Sequence, residues 1–176
     1  RYPIFTSELV AEMKSLVSRA DIITPNLTEL CLLTDTDYRM IKVMTEEKHL
    51  VTVAEQMARN LMTEGTKEVL VTGIRFTDEE SRQEMMGNLA VTKDGASFSA
   101  FPFIGESFSG TGDLFASVIA GGKARGDKLP DTMKLAGEMI ERAIRTSVKN
   151  HVPRNDGVDY EQYLWMLGEK NRLKQE

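Results

Sequence analysis

The stretch from Ala20 to Leu30, ADIITPNLTEL, decides how the rest of the chain is read. Two isoleucines in a short apolar run, closed by Thr24-Pro25-Asn26, read as a buried strand that enters a loop. That strand delivers Thr24 and Asn26 at its carboxyl end. Upstream, Leu9, Val10, Met13, Leu16 and Val17 recur at helical spacing behind Thr6 and Ser7, either of which can cap a helix; this predicts an amphipathic helix packed on the fold. Downstream, Leu50, Val53, Ala54, Met57, Ala58 and Leu61 form a second helical stripe, stopped at Gly65. It is followed by KEVLVTG, a buried strand ending in Thr72 and Gly73. Helix then strand, twice over, predicts a parallel sheet with crossover helices.

Further along, GIRFTDEESRQEMMG is polar and irregular and reads as a surface excursion, whereas NLAVTKDGASFSAFPF alternates around Asp94-Gly95 as a hairpin does. An apolar helix is expected from Leu114 to Ala120. A longer one carries Pro130 early in its first turn and the stripe Met133, Ala136, Ile140, Ala143, Ile144 and Val148. Asp159 with Gln162 reads as a capping box before a last short helix carrying Tyr163, Met166 and Leu167. There is no internal repeat.

With 176 residues, 41% hydrophobic and 28% charged, the chain suits a single domain with a sizeable core. A formal charge of -5 with dispersed Lys and Arg lacks the basic stripe that nucleic-acid binding requires, so no nucleic-acid partner is expected. The lone Cys31 can make neither an internal disulfide nor a multi-cysteine metal motif and reads as a core residue. No apolar run approaches the roughly 20 residues of a membrane span, and no signal-peptide pattern leads the chain; no membrane association and a cytoplasmic location are expected. The first residues, RYPIFTSELVAEMKS, carry no initiator methionine and suggest a piece of a longer protein.

Two constellations can carry chemistry. In SFSGTGDLFAS, Ser107 to Ser117, Gly110 and Gly112 allow close backbone approach, and the unpaired amides of a helix start suit an anion such as a transferring phosphoryl group. Asp113 beside them either caps the helix or takes a proton from an attacking alcohol. In TPNLTEL, Asn26 and Glu29 lie three residues apart; on one helical face they suit a hydrated magnesium ion, or else Glu29 offsets the helix dipole. Thr72-Gly73 places a hydroxyl where ligands sit in open α/β sheets. Neither GxxxxGK[ST] nor GxGxxG occurs. His49 and His151 read as solvated, the ten methionines as core filling and Trp165 as a packing residue.

ADIITPNLTEL, VLVTG and FSGTGDLFAS, in this order, closely resemble the second half of pyridoxal kinases of the ribokinase-like superfamily, with the likeness running from near Tyr2 to about Val148. The resemblance implies a ribokinase-like three-layer α/β/α sandwich with a mainly parallel sheet and antiparallel edge strands, in one domain over residues 1–176. It implies that Gly110, Thr111 and Gly112 form an anion hole and that Asp113 deprotonates the substrate hydroxymethyl group, with Gly110 and Asp113 touching the substrate. Asn26 and Glu29 match the family's N-x-x-E motif, associated with magnesium and the ATP phosphates, with Thr24 joining them at the metal, mostly through water. Thr24, Thr72 and Gly73 fall near the phosphates and a monovalent cation (K+), and the segment from Ile104 to Phe108 borders the adenine. The implied activity is ATP-dependent phosphorylation of the 5'-hydroxymethyl group of pyridoxal, pyridoxine or pyridoxamine by a homodimer. Family members begin with about a hundred further residues, which carry most of the vitamer pocket and are absent here. Hydroxymethylpyrimidine (phosphate) kinase, a sister family, usually carries Cys where this chain has Asp113, which favours pyridoxal. A non-catalytic nucleotide-binding fragment is the reading from another class.

Overall fold

The computed structural model describes residues 6–44, 46–63, 65–105 and 107–168. The chain divides into two compact units, Arg1–Ala100 and Phe101–Glu176. In the first, helices α1 (Ser7–Val17), α2 (Leu27–Leu33), α3 (Tyr38–Lys42) and α4 (Glu47–Leu61) accompany strands β1 (Ile22–Ile23), β2 (Glu68–Thr77), β3 (Glu84–Thr92) and β4 (Gly95–Pro102), whose last two residues pass into the second unit. The sheet order is β1-β2-β3-β4.

The α/β class is the expected one, but the mainly parallel sheet is not what these residues build. β1 pairs in parallel with β2 through Ile22–Glu68 and Ile23–Val69, whereas β2 and β3 are antiparallel, so the sheet is mostly antiparallel with one parallel pair. The physical reason lies in GIRFTDEESRQEMMG, which is no surface excursion. Its first residues continue β2 to Thr77, a short turn follows in which Asp78 accepts from the amide and hydroxyl of Ser81, and Glu84 starts β3. The alternation was hidden by a bulge: the β2–β3 register slips between Val71 and Ile74, and Gly73 takes a left-handed φ of 71°. Core-facing positions therefore switch from odd (Val69, Val71) to even numbers (Ile74, Phe76). A period-2 reading breaks at that point.

One sheet face carries the core of this unit: Val69, Val71, Ile74, Phe76, Leu89 and Val91 pack with Leu30 and Cys31 of α2 and with Leu50, Ala54, Met57 and Ala58 of α4. The α4 residues recur at helical spacing, so one face of the helix is buried. Full burial of each such Leu, Ile or Val stabilises by about 1.5–3 kcal/mol. Helix α1 differs from expectation. Thr6 caps it by accepting from the Leu9 amide, yet none of its residues is buried. Instead Val10, Met13 and Val17 line an apolar cleft of about 370 Å³ shared with Ile22, Ile23 and Leu33.

The second unit holds α5 (Thr111–Ala124), α6 (Leu129–Lys149) and two 3-10 segments, Arg154–Asp156 and Glu161–Leu167. α6 buries Met133, Ala136, Ile140 and Ala143 of the expected stripe, together with Met139 and Ser147. The Asp159–Gln162 capping box does not form: Asp159 accepts from the Asn150 side chain, and no side chain caps the final 3-10 segment.

Candidate functional site

In the first unit the fold brings Asn26, Glu29, Thr72 and Gly73 together. The parallel ladder of β1 and β2 ends in a bridge between Asn26 and Thr72, and the Thr72 amide donates to the Pro25 carbonyl at 2.9 Å. A Cβ on Gly73 would lie 3.9 Å from the Asn26 Cβ. Thr72 is thus not the last residue of its strand, as the sequence suggested; it sits in the bulge where parallel pairing stops. Asn26 is the N-cap of α2. Its Oδ1 accepts from the Glu29 amide at 3.0 Å, and Glu29 Oε2 accepts from the Asn26 amide at 2.9 Å. This capping box satisfies two otherwise unpaired donors and is the helix-start reading of the motif made concrete. It leaves Glu29 Oε1 without a hydrogen bond among the described residues, half-buried, at the rim of the cleft that also takes in Thr24. Among the described residues no group of three His, Cys, Asp or Glu could cage a metal ion. A single available carboxylate oxygen beside Thr24 and Asn26 fits an ion that keeps its own water, as magnesium does.

Asn88 is a polar residue that sequence reasoning passed over. It lies on β3 at 7% exposure, and the only signal for it was one amide side chain inside the apolar run that follows it, Leu89 to Val91.

In the second unit the GTGD loop starts α5. Gly110 is the N-cap with a left-handed φ of 78°, a conformation that costs a residue with a Cβ about 1–2 kcal/mol. Thr111 Oγ1 donates to the Phe108 carbonyl at 3.1 Å, and the Leu114 amide closes the first turn on the Gly110 carbonyl at 2.9 Å. The Ser109 amide donates to the Arg154 carbonyl, which ties the loop down. Cβ atoms on Gly110 or Gly112 would meet no heavy atom within 4 Å, so open space lies where the helix dipole and the first amides favour an anion. Asp113 is the third residue of the helix, not its cap. Its carboxylate is exposed and makes no hydrogen bond or ion pair to any described residue. Phe108, expected to border an adenine, is buried at 5% exposure, Ile104 is half-buried, and Glu106 of that segment lies outside the described residues.

Residues 2–156 match the phosphomethylpyrimidine kinase family model. The chain belongs to the phosphomethylpyrimidine kinase family. Comparison with curated proteins gives no match. Among solved structures, this family member is similar to a Bacteroides thetaiotaomicron protein named after phosphomethylpyrimidine kinases and crystallised with pyridoxal, at 30% identity and a TM-score of 0.76 over 95% of this chain and 56% of that one. It is similar also to the pyridoxal kinase of Lactobacillus plantarum, at 26% identity and a TM-score of 0.77 over 97% of this chain and 57% of that one. The Bacillus subtilis pyridoxal kinase, solved as an ADP complex, shares the fold at 21% identity and a TM-score of 0.66, over 90% of this chain and 57% of that one. This family member therefore spans little more than half the length of these relatives. Among its described residues no helix is long and apolar enough to cross a membrane.

Proposed function

We propose that the protein carrying this chain transfers the γ-phosphoryl group of ATP to the hydroxymethyl group of pyridoxal, pyridoxine or pyridoxamine. The observation that carries the reading is the exposed, unpaired Asp113 carboxylate at the third position of α5, directly behind a start kept open by Gly110 and Gly112. A carboxylate without a partner can accept the hydroxyl proton as the alcohol oxygen attacks the γ-phosphorus. The bond from that phosphorus to the β,γ-bridging oxygen breaks, and ADP leaves with the electron pair. The first amides of α5, Gly110 to Gly112, donate to the phosphoryl oxygens and stabilise the charge spread over them. This is a role for fixed dipoles that need no reorganisation.

Thr24, Asn26 and Glu29 would hold a hydrated magnesium ion, and Thr72 and Gly73 would lie near the nucleotide phosphates, with a monovalent cation alongside. When bound, magnesium neutralises phosphate charge. Support for a B6 vitamer comes from the B. thetaiotaomicron relative, which was crystallised with pyridoxal, and from Asp113 itself. The family model is named for a pyrimidine substrate, and hydroxymethylpyrimidine or its phosphate is the second reading. A homodimer is part of the proposal. The test is kcat/KM with ATP for pyridoxal, pyridoxine, pyridoxamine, hydroxymethylpyrimidine and its phosphate. A B6 vitamer is expected to be preferred at least tenfold. Preference for a pyrimidine would replace the first reading by the second, and no turnover of any with ATP bound would leave a nucleotide-binding fragment.

A further inference from the structure

The last turn of α6 carries a buried hydroxyl, Ser147, that the proposed chemistry leaves unused. Its Oγ donates to the Ala143 carbonyl one turn back at 2.8 Å, and accepts from the Asp159 amide, also at 2.8 Å. A serine in a helix can satisfy its hydroxyl on the helix's own backbone; the bond from Asp159 is the one that reaches outside it. The Ser147 carbonyl makes a second such bond, accepting from the Val152 amide at 2.9 Å just after the chain turns at His151, whose φ of 56° is left-handed. Ser147 therefore holds both ends of residues 152–159, and the Asn150 side chain, donating to the Asp159 carboxylate at 3.1 Å, adds a further tie.

The segment so held lies against the start of α5. Its Arg154 carbonyl accepts from the Ser109 amide at 2.9 Å, and a Cβ on Gly157 would lie 3.7 Å from the Ser109 carbonyl oxygen. Gly157 has φ 89° and ψ -160°, a region essentially reserved for glycine. Ser109 directly precedes Gly110, the N-cap of α5, and that cap makes no side-chain hydrogen bond. Contacts from residues 152–159 thus reach the residue next to the helix start, and Ser147 anchors those contacts from behind.

We propose that Ser147 is a positioning residue for the anion hole: by holding residues 152–159 it fixes Ser109, and through Ser109 the aim of the Gly110, Thr111 and Gly112 amides at the transferring phosphoryl group. The inference rests on the anion-hole reading above and adds to it a residue that acts through this segment and not on the reacting atoms. Such donors work at about 2.7–3.1 Å from the charged oxygen, and a displacement of about 1 Å can cost about 100-fold in rate, so a loosened loop registers in turnover.

The test is Ser147→Ala in the protein carrying this chain, read by kinetics with ATP and the preferred acceptor, by amide hydrogen exchange at Ser109 and by thermal melting. kcat is expected to fall about tenfold with both KM values within about twofold of wild type, the pattern of an interaction made in the transition state. Exchange at the Ser109 amide is expected to quicken about tenfold, as loss of roughly one hydrogen bond gives. Tyr163→Phe is the control: it removes the bond between the Tyr163 and Thr146 hydroxyls, on the same helix but away from residues 152–159. Both variants should lower Tm by about 2–4 °C, and the control should leave kcat and Ser109 exchange unchanged. Unchanged kcat or unchanged Ser109 exchange in Ser147→Ala would overturn the assignment, as would an equal loss of kcat in Tyr163→Phe. If Ser147→Ala does not fold, Gly157→Ala, which strains the segment where it meets Ser109, decides by the same two readouts. Gly112→Ala judges the anion hole itself. Wild-type turnover by that variant, or no turnover by the wild-type protein, would overturn both readings, whereas a large loss there beside an unaffected Ser147→Ala would overturn the positioning role alone.

Discussion

Replacing Gly112 by alanine separates the anion-hole assignment from ordinary helix energetics. Gly112 is the second residue of α5, its φ is not in the left-handed region, and an added Cβ would find no heavy atom within 4 Å. Nothing in the folded state opposes the methyl group. Alanine is favoured over glycine by about 1 kcal/mol in a helix interior; in the first turn about half of that is a fair measure, and for a chain of this size 1 kcal/mol moves Tm by about 2–4 °C. The variant should therefore melt about 1–2 °C higher. The new Cα–Cβ bond tilts toward the N-terminus of the helix, which puts the methyl group in front of the amides that the transferring phosphoryl must approach to about 2.7–3.1 Å. Losing one such donor typically lowers kcat by about 10²–10³-fold. Differential scanning fluorimetry and a coupled ADP-release assay read the two effects. A variant that turns over like wild type would refute the anion hole, and one that melts several degrees lower would refute the open space assigned above Gly112.

In the first unit, Gly87→Ala is expected to lower Tm by several degrees, since its Cβ would lie 2.3 Å from the Phe98 ring and overpacking typically costs about 1–3 kcal/mol; an unchanged melt would contradict the packing described. Glu29→Gln keeps an oxygen to accept from the Asn26 amide, so Tm should hold, while activity falls and partly recovers at high magnesium; unchanged magnesium dependence would leave Glu29 only its capping role. Stability should be level around neutral pH and decline on both sides. On the acid side, the Arg39 side chain lowers the Asp37 carboxyl and Ser81 lowers that of Asp78, so their contribution, present above the unfolded value near 3.9, is lost as pH falls through the lower folded values. On the alkaline side, burial and then Asp37 raise the Cys31 thiol, so its contribution, present below about 8.5, is lost as pH rises through the folded value. Melts that stay level from pH 3 to 10 would contradict both.

Much of the first unit was legible because its signals are local. The helical stripe from Leu50 to Ala58, the strand at Ile22–Ile23 and the hairpin around Asp94-Gly95 each follow from spacing and turn chemistry alone. What failed involved long-range geometry. The bulge at Thr72-Gly73 reversed the inward positions, so the far half of β2 looked irregular and the sheet looked parallel. α1 has the stripe of a packed helix, but its apolar side chains only line a cleft. At the candidate site, GTGD was visible as residues; that Gly110 is the cap and Asp113 is not depends on a φ of 78° that no spacing reveals. The capping box of Asn26 and Glu29 matched one of the two readings of their spacing. Asn88, buried on β3, was passed over because one amide beside an apolar run carries no periodic signal.

The central claim, that Asp113 is the base, is tested most directly by the turnover of Asp113→Asn with ATP and pyridoxal in the protein carrying this chain. Gly110, not Asp113, caps α5, and the Asp113 carboxylate holds no described partner, so the substitution should leave Tm and ATP affinity near wild type. It removes the proton acceptor, and loss of a general base typically costs about 100-fold or more. The account expects kcat to fall by at least that factor with folding and nucleotide binding intact; a variant that phosphorylates pyridoxal at close to the wild-type rate would contradict it.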